Sequence, residues 1–134
     1  MRKTIDTNVL VRALVDEQNE QSRIAGAYLA RESLHVPVTV MLETEWVLRS
    51  SYRLNRASVS GMLASIMSLP NVEIDQRETV GSAILAHQAG FDFADALHLQ
   101  AANGSESFLT FDNKLVKLAT KHGSPVPVQK PSRI

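Results

Sequence analysis

Lys3-Thr4-Ile5-Asp6-Thr7-Asn8-Val9-Leu10-Val11 is the stretch that decides the fold. A short β-prone run ends in a carboxylate, and a Thr-Asn pair then opens an apolar helical pattern. The acid is thereby expected at the C-terminal edge of a first strand, where open α/β sheets bind ligands. Near the other end, Phe108-Leu109-Thr110-Phe111-Asp112 repeats the arrangement of apolar run, acid and helix. Two strands that each deliver a carboxylate to one rim suggest a site for a hard cation.

Outward from these two anchors, strand-like runs fall at Lys3–Ile5, Leu34–Val36, Val72–Ile74, Phe108–Phe111 and Val126–Val128. Helical patterns fill the intervals at Glu17–Glu32, Val38–Tyr52, Asn55–Leu69, Glu78–Ala89, Phe93–Ala102 and Asn113–Lys121. Such alternation predicts an α/β fold, a short central parallel sheet with helices on both faces. Asn55 is expected to cap its helix, and Gly90 and Gly123 to provide left-handed C-caps. Pro70 closes the helix before it, while Pro125 and Pro127 mark the last strand as an edge. The Val38–Tyr52 segment is apolar nearly all round, so it must bury more than one face, against the sheet and another helix or a second subunit.

A chain of 134 residues without repeats or linkers reads as one domain, 1–134, burying about two-thirds of its unfolded surface. Its 44% apolar and 21% charged residues exclude wholesale disorder. The absence of cysteine excludes a disulfide scaffold and thiolate metal sites and fits a reducing cytoplasm. No signal peptide follows Arg2 and Lys3, and no apolar run reaches the roughly 18 residues of a membrane span. The formal net charge of zero hides an uneven distribution. Lys114, Lys117, Lys121, Lys130 and Arg133 follow the last acid, and Arg49, Arg53 and Arg56 form a second basic stretch. Acidic residues dominate between Glu73 and Asp95. An acidic focus beside basic flanks steers polyanions, although charge alone does not separate that reading from ordinary solvated faces.

Each carboxylate has a structural reading beside the functional one. Asp6 can cap a helix, but Thr7 and Asn8 can cap as well, which makes Asp6 less necessary there. Glu43 stands in the apolar Val38–Tyr52 helix, where burying an acid is costly unless it is paired or bound to a metal. Glu45 has Arg49 four residues on, a ready ion pair. Periodicity does not separate the two acids cleanly; Glu43 is the favoured site residue. Asp92 fits an N-cap after Gly90, which leaves Asp95 in the first helical turn with less need of a structural role. Asp112 caps the last helix on the structural reading.

The four histidines show no paired spacing, which argues against zinc. There is no Gly-rich phosphate loop, no Gly-x-Ser-x-Gly elbow and no cysteine nucleophile. An all-carboxylate set suits Mg²⁺ or Mn²⁺, ions that serve phosphoryl chemistry. Without a cation, gathered acids would raise one another's pKa.

Four segments together carry a family likeness: Ile5-Asp6-Thr7-Asn8-Val9-Leu10, Leu42-Glu43-Thr44-Glu45-Trp46-Val47-Leu48, Asp92-Phe93-Ala94-Asp95-Ala96-Leu97 and Thr110-Phe111-Asp112. In order and spacing they resemble the PIN-domain ribonucleases, and among these the VapC-type toxins of bacterial toxin–antitoxin pairs. The resemblance implies catalytic acids at Asp6, Glu43, Asp95 and Asp112, with Asp6, Asp95 and Asp112 holding Mg²⁺ or Mn²⁺ and Glu43 orienting the attacking water. It prefers Glu43 to Glu45 because the family's helical Glu stands three residues before the Trp position. It implies accessory roles for Asn8, which would hold Asp6, for Asp92, and for Thr110, which would orient a site acid or water. Arg49, Arg53 and Lys114 are then expected contacts for the RNA backbone. The implied protein is a homodimeric, cytoplasmic, metal-dependent endoribonuclease checked by a VapB-like antitoxin whose C-terminal segment crosses the acidic groove.

Two rivals come from other classes. A phosphoacceptor signalling domain wants paired acids after the first strand and a lysine after the last; here Asp6 stands alone and the last strand offers only Lys130. A non-catalytic PIN-fold module that binds RNA or protein would not need its acids intact.

Overall fold

Ile5 is where the first strand gives way to the first helix. Its N–H still reaches the His35 carbonyl (3.1 Å), and Asp6 then turns the chain. In the computed structural model, which describes residues 1–134, strand β1 (Lys3–Thr4) leads into α1 (Thr7–Leu14). The chain forms two units, Met1–Gly81 and Ser82–Ile134, each with its own parallel strands.

The first unit continues with α2 (Glu20–Arg31), β2 (Leu34–Val36), α3 (Val38–Ser50), α4 (Arg56–Met67), β3 (Val72–Ile74) and the start of α5 (Arg77–Ala89). Its sheet has the order β1-β2-β3, with Lys3 opposite Leu34 and Leu34 opposite Val72. All three residues of β2 are buried, as a central parallel strand covered on both faces requires. One of them is His35. A buried imidazole needs partners for its polar atoms, and it has two: the Thr4 hydroxyl at Nδ1 (2.7 Å) and Asp75 at Nε2 (2.8 Å). Asn19 and Asn55 cap α2 and α4 by accepting from Ser22 N (2.9 Å) and Ser58 N (2.8 Å). Leu10, Leu34, Met41, Leu48, Leu63 and Ile66 are fully enclosed and make the centre of the core.

The second unit holds the rest of α5, then α6 (Phe93–Ala101), β4 (Phe108–Leu109), α7 (Asn113–His122) and β5 (Val128–Gln129). Strands β4 and β5 pair in parallel, Phe108 opposite Val128. The last strand thus shares only Val128 with the expected Val126–Val128, because Pro125 and Pro127 have no N–H to give a ladder. Pro127 contributes its carbonyl instead, accepting from Phe108 N (2.8 Å). Helix α7 buries Leu115 and Ala119 and exposes Lys114, Lys117 and Lys121. Gly123 follows with φ 90° and ψ 163°, a conformation nearly confined to glycine but not the left-handed helical one expected.

Helix α3 departs from expectation in an instructive way. Met41, Thr44, Glu45 and Leu48 are buried, whereas Glu43 is exposed and Trp46 is 55% exposed. The buried acid is therefore Glu45. Its carboxylate accepts from Arg49 Nε (2.8 Å) and Nη2 (3.4 Å) one turn on. Hydrogen bonds to a charged group contribute about 1.5–3 kcal/mol each, and a buried carboxylate deprived of them is penalised. Arg49→Ala is accordingly expected to lower stability by about 2 kcal/mol. Urea unfolding would read the loss, and an unchanged midpoint would show that Glu45 does not depend on Arg49.

Candidate functional site

Asp6 is the N-cap of α1, and its Oδ1 accepts from Val9 N (3.1 Å). The expectation that Thr7 or Asn8 would relieve it of capping is not met: both lie inside the helix. Thr7 is buried and turns its hydroxyl to Glu43, donating to Oε1 at 2.5 Å. Asn8 does not hold Asp6; its Oδ1 accepts from Arg12 Nε (3.3 Å).

These contacts place two carboxylates in one recess. A cavity of about 330 Å³ is lined by Asp6, Thr7, Arg12, Glu43, Val47 and Tyr52 among others. Each acid has one oxygen fixed by the protein, Asp6 by a backbone N–H and Glu43 by a hydroxyl. A carboxylate accepts about four hydrogen bonds, so both retain lone pairs for water or a cation. Glu43 is held in the recess by this contact and is exposed, not buried as its helical neighbours suggested. Glu45, by contrast, is enclosed and paired with Arg49.

The second unit brings three more acids to helix starts. Asp92 caps α6 by accepting from Asp95 N (3.1 Å). Asp112 caps α7, and its Oδ1 accepts from Lys114 N (2.9 Å) and Leu115 N (3.2 Å). Thr110 supports Asp112 through the backbone, its Oγ1 accepting from Asp112 N (3.0 Å). Asp95 is partly buried. Burial first, and then the neighbouring Asp92 and Asp112 carboxylates, push its carboxyl above the ordinary Asp range, while His98 pulls the other way.

The donor set is wholly oxygen, which fits Mg²⁺ or Mn²⁺, and the Asp95 repulsion is what a bound cation would relieve. Within neither unit do three acidic or histidine side chains converge on one metal position. Among the residues expected to contact RNA, Arg49 serves Glu45, while Arg53 and Lys114 remain exposed. Sequence reasoning missed Thr7 as a hydrogen-bond donor to Glu43, and it missed Arg12 and Tyr52 in the cavity wall. Arg12 had a signal, as the one cation in Thr7–Leu14 and four residues after Asn8. Tyr52 had none, because its partner Glu17 is 35 residues away.

Residues 3–121 match the family model of the PIN domain, a span that contains every acid described above. A comparison with curated proteins found no match.

The Asp95 environment sets a pH dependence. A carboxyl whose pKa is raised by folding holds its proton longer in the folded state, so it disfavours folding once both states have ionised. In metal-free buffer Asp95→Asn is expected to be more stable than the wild type at pH 7. The gap should close as pH falls through the raised folded pKa towards the ordinary Asp value. Melting temperatures across that window check this, and a variant less stable at pH 7 would contradict it.

Proposed function

The chain belongs to the PIN-domain family, and on that premise we propose that it is a Mg²⁺- or Mn²⁺-dependent endoribonuclease, the toxin of a VapBC-type pair. PIN domains are generally nucleases that use divalent metals. The observation that carries the reading to this chain is the recess in which Asp6 and Glu43 are both anchored and both left with free acceptor capacity. Residues 1–134 would act as one PIN domain, a reading supported by a match that runs through both units.

Asp6, Asp95 and Asp112 would hold the ion. When bound, it would supply Lewis-acid polarisation of the phosphodiester and neutralise charge at the leaving oxygen. Glu43, steadied by Thr7, would accept a hydrogen bond from the attacking water and align it. Thr110 would keep Asp112 in place through its backbone. A VapB-like antitoxin would neutralise the protein by laying a C-terminal segment, with a basic side chain, across the acids. A second copy of the chain would cover exposed apolar surface such as Ile24, Tyr28 and Leu85. No helix is long and apolar enough to cross a membrane, and the cytoplasm is the proposed compartment.

Cleavage of a labelled RNA in Mg²⁺ tests this. Glu43→Gln keeps an acceptor for the Thr7 hydroxyl but loses the charge, and its rate should fall about 100-fold or more. Chelation by EDTA should abolish wild-type cleavage, and added Mg²⁺ or Mn²⁺ should restore it. Full activity in EDTA, or a Glu43→Gln rate equal to the wild type, would refute the assignment.

A further inference from the structure

Two cavities meet at Glu43. One is the recess of about 330 Å³ that also holds Asp6, Arg12 and Tyr52. The other, of about 450 Å³, runs along α3 beside Thr39, Val40, Leu42 and Trp46. Each of the two cavities that Glu43 lines thus has one aromatic ring in its wall, Trp46 in one and Tyr52 in the other. Trp46 lies one helical turn from Glu43 and is 55% exposed. Tyr52 is half-buried, and its hydroxyl donates to Glu17 Oε1 at 2.6 Å, which fixes the ring.

Arg12 is the one cation in either lining. It is not the counter-ion of the recess acids. Its Nε donates to Asn8 at 3.3 Å and its Nη1 lies 4.0 Å from Glu17, and it pairs with neither Asp6 nor Glu43. A guanidinium has five N–H donors, so most of its capacity is open to an anion entering the recess. Arginine suits a phosphate because two of its N–H groups match two phosphate oxygens. Aromatic rings accept any base by stacking.

We propose that Arg12, Tyr52 and Trp46 hold the substrate, Arg12 through a backbone phosphate and the two rings through the bases that flank the bond cut beside Glu43. This rests on the nuclease reading and adds the groups that bind rather than cleave.

Trp46 is the only tryptophan of the chain, so its emission reports this surface alone. An unstructured oligouridylate of about ten nucleotides is titrated onto the full-length Glu43→Gln protein, with binding followed separately by anisotropy of an end label. Saturable quenching of Trp46 is expected. Tyr52→Ala should weaken binding roughly 5- to 150-fold, as loss of one stacked base does. Tyr52→Phe, which keeps the ring and loses the Glu17 bond, should bind nearly as the parent does. Arg12→Gln should reduce the log–log salt slope of binding by about 0.7, one phosphate contact. Binding without any emission change, or equal affinities for Tyr52→Ala and Tyr52→Phe, overturns the inference while wild-type cleavage leaves the nuclease reading standing. Emission that follows protein concentration instead of RNA places Trp46 between two copies and also overturns it. A wild type that neither binds nor cuts RNA brings down both.

Discussion

Carboxylates at helix N-termini are the device on which the arrangement depends. The first N–H groups of any helix lack intrahelical partners, and the helix dipole makes that end favourable for negative charge. Asp6, Asp92 and Asp112 occupy that position on α1, α6 and α7, each accepting from backbone N–H groups. A cap of this kind contributes about 1 kcal/mol. It also fixes the direction of the carboxylate while leaving acceptor capacity open. Capping by these residues therefore does not preclude ligation, because each carboxylate keeps acceptor capacity in a fixed direction.

Asp95 stands near two other carboxylates and is pushed towards its neutral form by burial and by them. Retaining such a group lowers stability in the absence of a cation, a tension typical of functional sites. In the first unit Thr7 donates to Glu43 and Val9 N to Asp6. Arg12 adds positive charge to that recess without cancelling either acid.

What the sequence made legible was local. Strands β2 and β3 fall where the apolar runs and their flanking punctuation place them, and Asn55, Asp92 and Asp112 cap as their positions suggest. What stayed illegible involves partners far along the chain. Glu43 and Glu45 have similar apolar neighbours at helical spacing, so only Thr7, 36 residues earlier, shows which one faces the recess. Histidine spacing gave no sign of a partner for His35, because that partner, Asp75, is 40 residues on. The displaced last strand has a different cause, since its two prolines remove donors that a periodicity argument assumes.

The most direct measurement pairs stability with cleavage in Asp6→Asn. Asparagine caps a helix about as well as aspartate, so the variant should unfold within roughly 1 kcal/mol of the wild type. It lacks the negative charge assigned to the site, and its RNA cleavage in Mg²⁺ should be lost. A folded Asp6→Asn protein that cuts RNA at the wild-type rate would contradict the role proposed for Asp6.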